Sequence, residues 1–152
     1  METIIDLKNV RQLVEFQNSP VDVLFIDNDI ASYLLAMELL AEHNINVIHS
    51  RSGMKAINIF KANQSIGVII TELLLPFMNG FEVLKEIRRI NPAIPVIVQT
   101  AHVVNNMQHT CINAGFSEFI DKPINLEVFT LITVKYARIN QNPFNHCLWL
   151  KG

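Results

Sequence analysis

Charge and cysteine are both scarce in this chain. Only 17% of its 152 residues are Asp, Glu, Lys or Arg, and the formal net charge is -2. A chain this close to neutral offers no general attraction for nucleic acid, and Arg88-Arg89 is too small a basic cluster to supply one. The two cysteines, Cys111 and Cys147, lie far apart with neither a CxxC nor a Cys/His ligand spacing, which argues against a disulfide framework or a zinc motif. Cys111 reads as a small buried hydrophobe rather than a reactive thiol. No apolar run approaches about 18 residues and no hydrophobic signal segment opens the chain, so a cytoplasmic protein without membrane insertion is expected. What the sequence does have is apolar content: half of it is hydrophobic, enough for one compact domain with its own core.

From residue 21 onward, strand-like apolar runs alternate with helix-period segments, with no internal repeat or low-complexity stretch. Strands are expected at Val21–Asp27, Ile45–His49, Ile66–Glu72, Pro95–Thr100 and Phe116–Asp121. Helices are expected at Ile30–Glu42, from Gly53 with Met54, Ile57 and Phe60 on one face, at Gly80–Ile90, at Val103–Ala114 and at Leu126–Ile139. Five strands with intervening helices imply an α/β fold with a parallel sheet covered on both faces, because parallel neighbours need crossover connections. Residues 1–20 form an extension whose Leu7, Val10, Leu13 and Val14 suggest an extra amphipathic helix over Ile4–Phe16. Residues 21–140 form the main domain, and residues 141–152 form a tail carrying Phe144, Leu148, Trp149 and Leu150. Extension and tail are expected either to pack on the domain or to make a homodimer or partner contact.

In open parallel sheets, ligands sit beyond the carboxyl ends of the strands. Strand one ends in Asp27-Asn28-Asp29, strand three in Glu72, strand four in Thr100-Ala101, and strand five in Asp121-Lys122-Pro123. Acids, a hydroxyl and a lysine therefore gather at one end of one sheet. Thr71 is a poor substitute for Glu72, since side chains alternate along a strand. His102 reads as a solvated loop histidine. Leu73, Leu74, Phe77 and Met78 are unusually apolar for a loop beside a polar pocket; part of the run should pack beneath the loop, with Leu74 exposed and available for docking.

These blocks resemble the response-regulator receiver domain of two-component signalling. The likeness runs from about Val21 to Asn140 and rests on Ile26-Asp27-Asn28-Asp29, Glu72 through Pro76 to Met78-Asn79-Gly80, Val98-Gln99-Thr100-Ala101, and Ala114-Gly115 through Phe119 to Lys122-Pro123. It implies a doubly wound, flavodoxin-like sheet of order 2-1-3-4-5. It further implies that Glu72 stands at the phosphoacceptor position and that Asp27 and Asn28 stand at acidic, magnesium-holding positions, with Asp29 nearby. Thr100 and Ala101 match phosphoryl-contact positions, Phe119 the aromatic switch, and Lys122 the lysine that pairs with the phosphoryl group or the acceptor. The Lys122-Pro123 bond is commonly cis in that family. The implied partners are a histidine kinase, a phosphotransfer protein or a downstream regulator. The implied role is a stand-alone signalling module in a phosphorelay, not an enzyme, and no catalytic residue is assigned.

Two positions depart from the pattern. Asn28 is neutral where a directly ligating acid is usual, so a magnesium site at Asp27, Asn28 and Glu72 is expected to be weak. Glu72 replaces aspartate and adds roughly 1.5 Å of bond length, and a nucleophile misplaced by about 1 Å can cost on the order of a hundredfold. The longer carboxylate can instead imitate a phosphorylated aspartate by reaching Lys122 and Thr100. An alternative reading takes Asp27-Asn28-Asp29 as the DxD motif of a haloacid-dehalogenase-like phosphatase, with Asp27 as nucleophile and Asp29 as general acid. That family needs an acidic pair after its lysine, and only Glu127 follows Lys122. A flavin binder is disfavoured because Ile30-Ala31-Ser32-Tyr33 is no phosphate loop.

Overall fold

The structure is a computed structural model that describes residues 7, 8, 11, 15 and 19–139. The strands are β1 (Val21–Ile26), β2 (Ile45–Ser50), β3 (Ile66–Glu72), β4 (Val96–Thr100) and β5 (Glu118–Asp121). Between and after them lie α1 (Ile30–Ala41), α2 (Gly53–Ala62), α3 (Gly80–Ile90), α4 (Met107–Ala114) and α5 (Leu126–Ile139). All pairings are parallel, in the order β2-β1-β3-β4-β5. This is the doubly wound, flavodoxin-like arrangement expected from the sequence. The expected N-terminal helix and C-terminal tail fall largely outside the described residues; Leu7, Lys8, Arg11 and Glu15 are helical.

Strand alternation divides the core into two layers. Leu24, Ile26, Ile69, Val96 and Val98 face one way, against Ile57, Val83, Leu84, Ile87 and Cys111. Val23, Phe25, Val68, Ile70, Ile97 and Ile120 face the other, against Ala36, Leu40, Phe129 and Ala137. Each large side chain buried in this way contributes roughly 1.5–3 kcal/mol of transfer free energy. Both faces of the middle strands are therefore dry, which is why those strands read as unbroken apolar runs.

Helix starts are fixed by short polar side chains. Ser52 Oγ accepts from the Lys55 amide at 3.2 Å, and Asn79 and Glu82 form a reciprocal capping box at α3. Asn125 Oδ1 accepts from the Val128 amide at 3.0 Å at the head of α5. Gly115, at φ 114°, ends α4 in the left-handed region where glycine is at ease.

Several expectations shift. Helix α4 begins at Met107 rather than Val103, because Asn106 sits at φ 58° and breaks the right-handed path, leaving Val103 and Val104 in an exposed loop. Strand β4 starts one residue later than expected and β5 two, and β1 stops at Ile26. On α1, Leu34 and Met37 are exposed; Ala36 and Leu40 make the buried contacts, so the helix face on the sheet is narrower than the apolar pattern suggested. Met54 is also exposed, leaving Ala56, Ile57 and Phe60 to anchor α2.

Candidate functional site

The site is built from one row across the sheet. Asp27, Glu72 and Gln99 have the same parity as Phe25, Ile70 and Ile97, and Glu72 lies directly beside Gln99 in the β3–β4 register. Lys122 arrives just beyond β5. Its amide donates to the Thr100 carbonyl at 3.0 Å, and its bond to Pro123 is cis. The Lys122 ammonium lies between two carboxylates, 2.7 Å from Asp27 Oδ2 and 2.8 Å from Glu72 Oε2. The side chains of Asp27, Glu72 and Lys122 are only 4%, 12% and 20% exposed, so these charges interact with little screening by water.

The remaining carboxylate oxygens are also occupied. Asp27 Oδ1 accepts from the Asp29 amide at 2.8 Å, and Glu72 Oε1 accepts from the amides of Leu73 at 2.7 Å and Leu74 at 3.2 Å. Glu72 thus reaches back to its own loop and across to Lys122 at once. Gly80 helps hold that loop: its amide donates to the Leu73 carbonyl at 2.8 Å, and a Cβ there would come within 2.9 Å of the Glu72 carbonyl oxygen. Burial of the ammonium pulls the Lys122 pKa down, but the hydrogen bonds and charges of Asp27 and Glu72 outweigh this and hold it above the ordinary lysine value.

Asp27, Asn28, Asp29, Glu72, Thr100, Ala101 and Lys122 line one open cleft of about 490 Å³, with Leu74 and His102 on its wall. Their roles within it differ. Asn28 is exposed at the mouth. Asp29 is the N-cap of α1: its carboxylate accepts from the Ala31 and Ser32 amides and the Ser32 hydroxyl, and these bonds from Ser32 hold its pKa below the usual carboxylate value. The Thr100 hydroxyl accepts from the His102 amide at 3.1 Å instead of meeting Glu72. Phe119 is half-buried, packs on the Val98 side of the sheet and lies outside the cleft. Leu73 is buried, whereas Leu74 and Phe77 are exposed, and Phe77 adopts φ 66°.

Two contributors were not assigned a role from sequence. Gln99 is buried, and its Nε2 reaches Asp27 Oδ2 at 3.4 Å. The signal was present in Val96-Ile97-Val98-Gln99-Thr100, a single amide in an apolar strand. His49 Nε2 donates to the Asp27 carbonyl at 2.8 Å while its ring stacks on Tyr33 with centroids 4.3 Å apart, steadying the loop that follows β1. A histidine near the carboxyl end of a strand is too common to have singled this one out.

Comparison with known proteins decides the family. The family model for the response regulator receiver domain matches residues 7–133. The chain belongs to the response regulator receiver domain family. A cyclic di-GMP phosphodiesterase of Thermotoga maritima is 32% identical over 109 residues, which cover 72% of this chain and 29% of that protein. The transcriptional regulatory protein ZraR of Escherichia coli is 28% identical over 107 residues, covering 70% of this chain and 24% of that one. This receiver domain chain thus spans less than a third of the length of either relative. Among solved structures, a receiver domain protein from Clostridium thermocellum superposes with a TM-score of 0.70 at 26% identity, covering 84% of this chain and 98% of that one. The receiver domain of a Saccharomyces cerevisiae response regulator, co-crystallised with its histidine phosphotransfer signaling protein, superposes at 0.73 with 19% identity, covering 82% and 93%.

The receiver family implies magnesium, and the residues present do not fit it. Asp29 is committed to a helix cap, Asn28 carries no charge, and the oxygens of Asp27 and Glu72 already accept from backbone amides and a lysine. Among the described residues, no three His, Cys, Asp or Glu side chains are grouped to hold a metal ion. The phosphatase alternative also finds no support, since its general acid, Asp29, is the residue that caps α1. No helix among the described residues is long and apolar enough to cross a membrane.

Proposed function

We propose that this chain is a two-component signalling module whose receiver switch is held in one state by its own side chains and which acts through protein contacts. The observation that carries the reading is the Lys122 ammonium held between Asp27 and Glu72. Phosphoryl transfer to a carboxylate depends on a free, positioned oxygen and on cations that offset charge on the transferring group. Here Glu72 Oε1 takes two backbone amides and Oε2 takes the lysine, so the donors an incoming phosphoryl oxygen would use are already satisfied. Glu72 provides part of what a phosphorylated aspartate would provide: it engages Lys122 while leaving the Thr100 hydroxyl to His102.

A histidine kinase, a phosphotransfer protein or a downstream regulator is the partner class that this reading calls for, and Leu74 with Phe77 offers exposed apolar contact beside the cleft. The chain is read as a signalling surface rather than an enzyme; the phosphodiesterase activity named for the Thermotoga relative belongs to a protein of which this chain matches 29%. The test is incubation of the full chain with a small phosphodonor and magnesium, followed by intact-mass measurement and peptide mapping. No adduct is expected on the wild type, and the Glu72→Asp variant is the comparison that isolates side-chain length. A stable, stoichiometric phosphoryl group on Glu72 would sink the proposal.

A further inference from the structure

Strand β2 lies at an edge of the sheet and pairs with β1 on one side only. In a strand the N–H and C=O of one residue point to the same side, so only alternate residues serve a given neighbour. The Val21 amide donates to the Asn44 carbonyl at 3.3 Å and the Asp27 amide to the Ser50 carbonyl at 3.1 Å, which assigns Asn46, Ile48 and Ser50 to β1. Ile45, Val47 and His49 therefore aim their backbone groups away from the sheet, and among the described residues those groups have no hydrogen-bond partner. Natural sheets guard such an edge with charge, proline, a bulge or a very short strand. The opposite edge is guarded in this way: β5 has four residues and carries Glu118 and Asp121. β2 has six residues with no Asp, Glu, Lys, Arg or Pro, and its register with β1 is unbroken. The helix beside it is apolar on the outside as well. Tyr33 of α1 stacks on the His49 ring, and its hydroxyl lies 3.6 Å from Met37 Sδ, so Met37 sits on the β2 side of α1. Met37 is exposed, and so are Leu34 and Ile30, one and two turns earlier on the same stripe.

We propose that β2 is a homodimer interface: two copies of this chain pair their β2 edges antiparallel about a twofold axis. The two sheets then become one, and the Ile30–Leu34–Met37 stripes of both α1 helices close over the junction. With Val47 opposite Val47 of the second copy, Ile45 of each faces His49 of the other, and every outward N–H and C=O is satisfied in one register. No like charges meet along the strands. Just past the strand end, exposed Arg51 of one copy comes beside the turn that carries exposed Glu42 of the other. Neither residue has an ion pair with the described residues of its own chain. The edge is therefore complementary to itself, as an isologous contact requires. A foreign strand could satisfy the same backbone groups, but the acid at one end and the base at the other match a second copy. Antiparallel pairing points the two clefts in opposite directions, so both stay open and the dimer is bivalent. The interface does not involve the ion triad, so a phosphoryl adduct on Glu72 and a failure to dimerise are separate outcomes.

The experiment is sedimentation velocity of the full chain from low-micromolar to near-millimolar concentration, with NMR-detected amide exchange at both ends of that range. A monomer–dimer transition is expected. On dimerisation the amides of Ile45, Val47 and His49 should slow by about tenfold or more, while those of Asn46, Ile48 and Ser50, already bonded to β1, change little. Leu34→Lys, at an exposed position, should weaken dimerisation by about tenfold or more, because it sets like charges against each other at the junction. Leu131→Lys, on the exposed face of α5, should leave dimerisation unchanged. A chain that stays monomeric throughout overturns the proposal. So does a dimer whose outward β2 amides still exchange freely, or one broken by Leu131→Lys and not by Leu34→Lys, which would put the contact on α5. Slow exchange at Ile45, Val47 and His49 in the dilute monomer, the result if residues 1–18 capped the edge, overturns it as well.

Discussion

Replacing Lys122 by methionine isolates the central ion triad, because the stem is kept and only the charge is lost. At 2.7 and 2.8 Å, each lysine–carboxylate contact carries ~6 kcal/mol of gross Coulomb energy at an effective dielectric of about 20. Desolvation of three charges cancels much of that sum, so it is not the expected loss. The relevant quantity is what remains when one partner leaves, and stranding buried carboxylates costs about 3–5 kcal/mol. Lys122 retains 20% exposure, which places the expected loss near the lower end, about 3 kcal/mol, or on the order of 10 °C in melting midpoint for a domain this size. Urea titration at neutral pH measures it directly. The matched control is Arg89→Ala, which breaks the Arg89–Glu86 pair at the same 2.8 Å but with side chains 63% and 37% exposed; a loss below about 1 kcal/mol is expected there. If Lys122→Met costs no more than Arg89→Ala, the triad is effectively solvated and the argument for a held switch fails.

Three further outcomes follow from the same geometry. Gly80→Ala should destabilise by about 1–3 kcal/mol in urea titration, because its Cβ would meet the Glu72 carbonyl at 2.9 Å and the Leu73 Cα at 3.0 Å, both backbone atoms. Phe77→Gly should be neutral or stabilising by about 0.5–1 kcal/mol: φ is 66° and the ring is fully exposed, so strain is relieved without loss of burial. A clear loss in the same titration would mean that the ring packs on something. The third outcome is alkaline sensitivity. The folded Lys122 pKa lies above its reference of 10.5, so its stabilising contribution is complete below that reference and is lost as pH rises through the higher folded value. The urea midpoint of the wild type should therefore fall towards that of Lys122→Met in this alkaline range, and a gap that stays constant would refute the linkage.

The sheet was legible because its strands are buried on both faces: Val68-Ile69-Ile70 and Val96-Ile97-Val98 have no polar alternation to confuse them with anything else. Helix starts were legible where a capping side chain sits one residue ahead, as Ser52 and Asn79 do. The start of α4 was not, because Val103 and Val104 carry a helix-compatible apolar pattern while Asn106 takes a left-handed conformation that composition does not announce. In the cleft, strand ends located Asp27, Glu72, Thr100 and Lys122 together, since register alone carries them to one edge. Asp29 was harder. A carboxylate next to a pocket and a carboxylate at an N-cap look identical in sequence, and only the direction of its bonds to Ala31 and Ser32 separates them.

Glu72 matters through the connections it makes. Its two oxygens join separate elements: Oε1 binds the loop after β3 through Leu73 and Leu74, and Oε2 binds Lys122 beyond β5. Asp27 repeats the pattern, with Oδ1 on the loop after β1 and Oδ2 on the same lysine. Three strand ends are thereby cross-linked through one cation, and β4 joins through the Gln99 amide and through its Thr100 carbonyl, which accepts the Lys122 N–H. Opening the cleft for a phosphoryl group would require Glu72 to give up two backbone donors and a buried ion pair together. Those losses couple because they fall on one side chain, so a partial opening gains little while the remaining bonds still hold the carboxylate in place. The same cross-linking ties the backbone of exposed Leu74 to the cleft through its amide bond to Glu72, and an apolar contact held in place binds with less ordering cost than a mobile one.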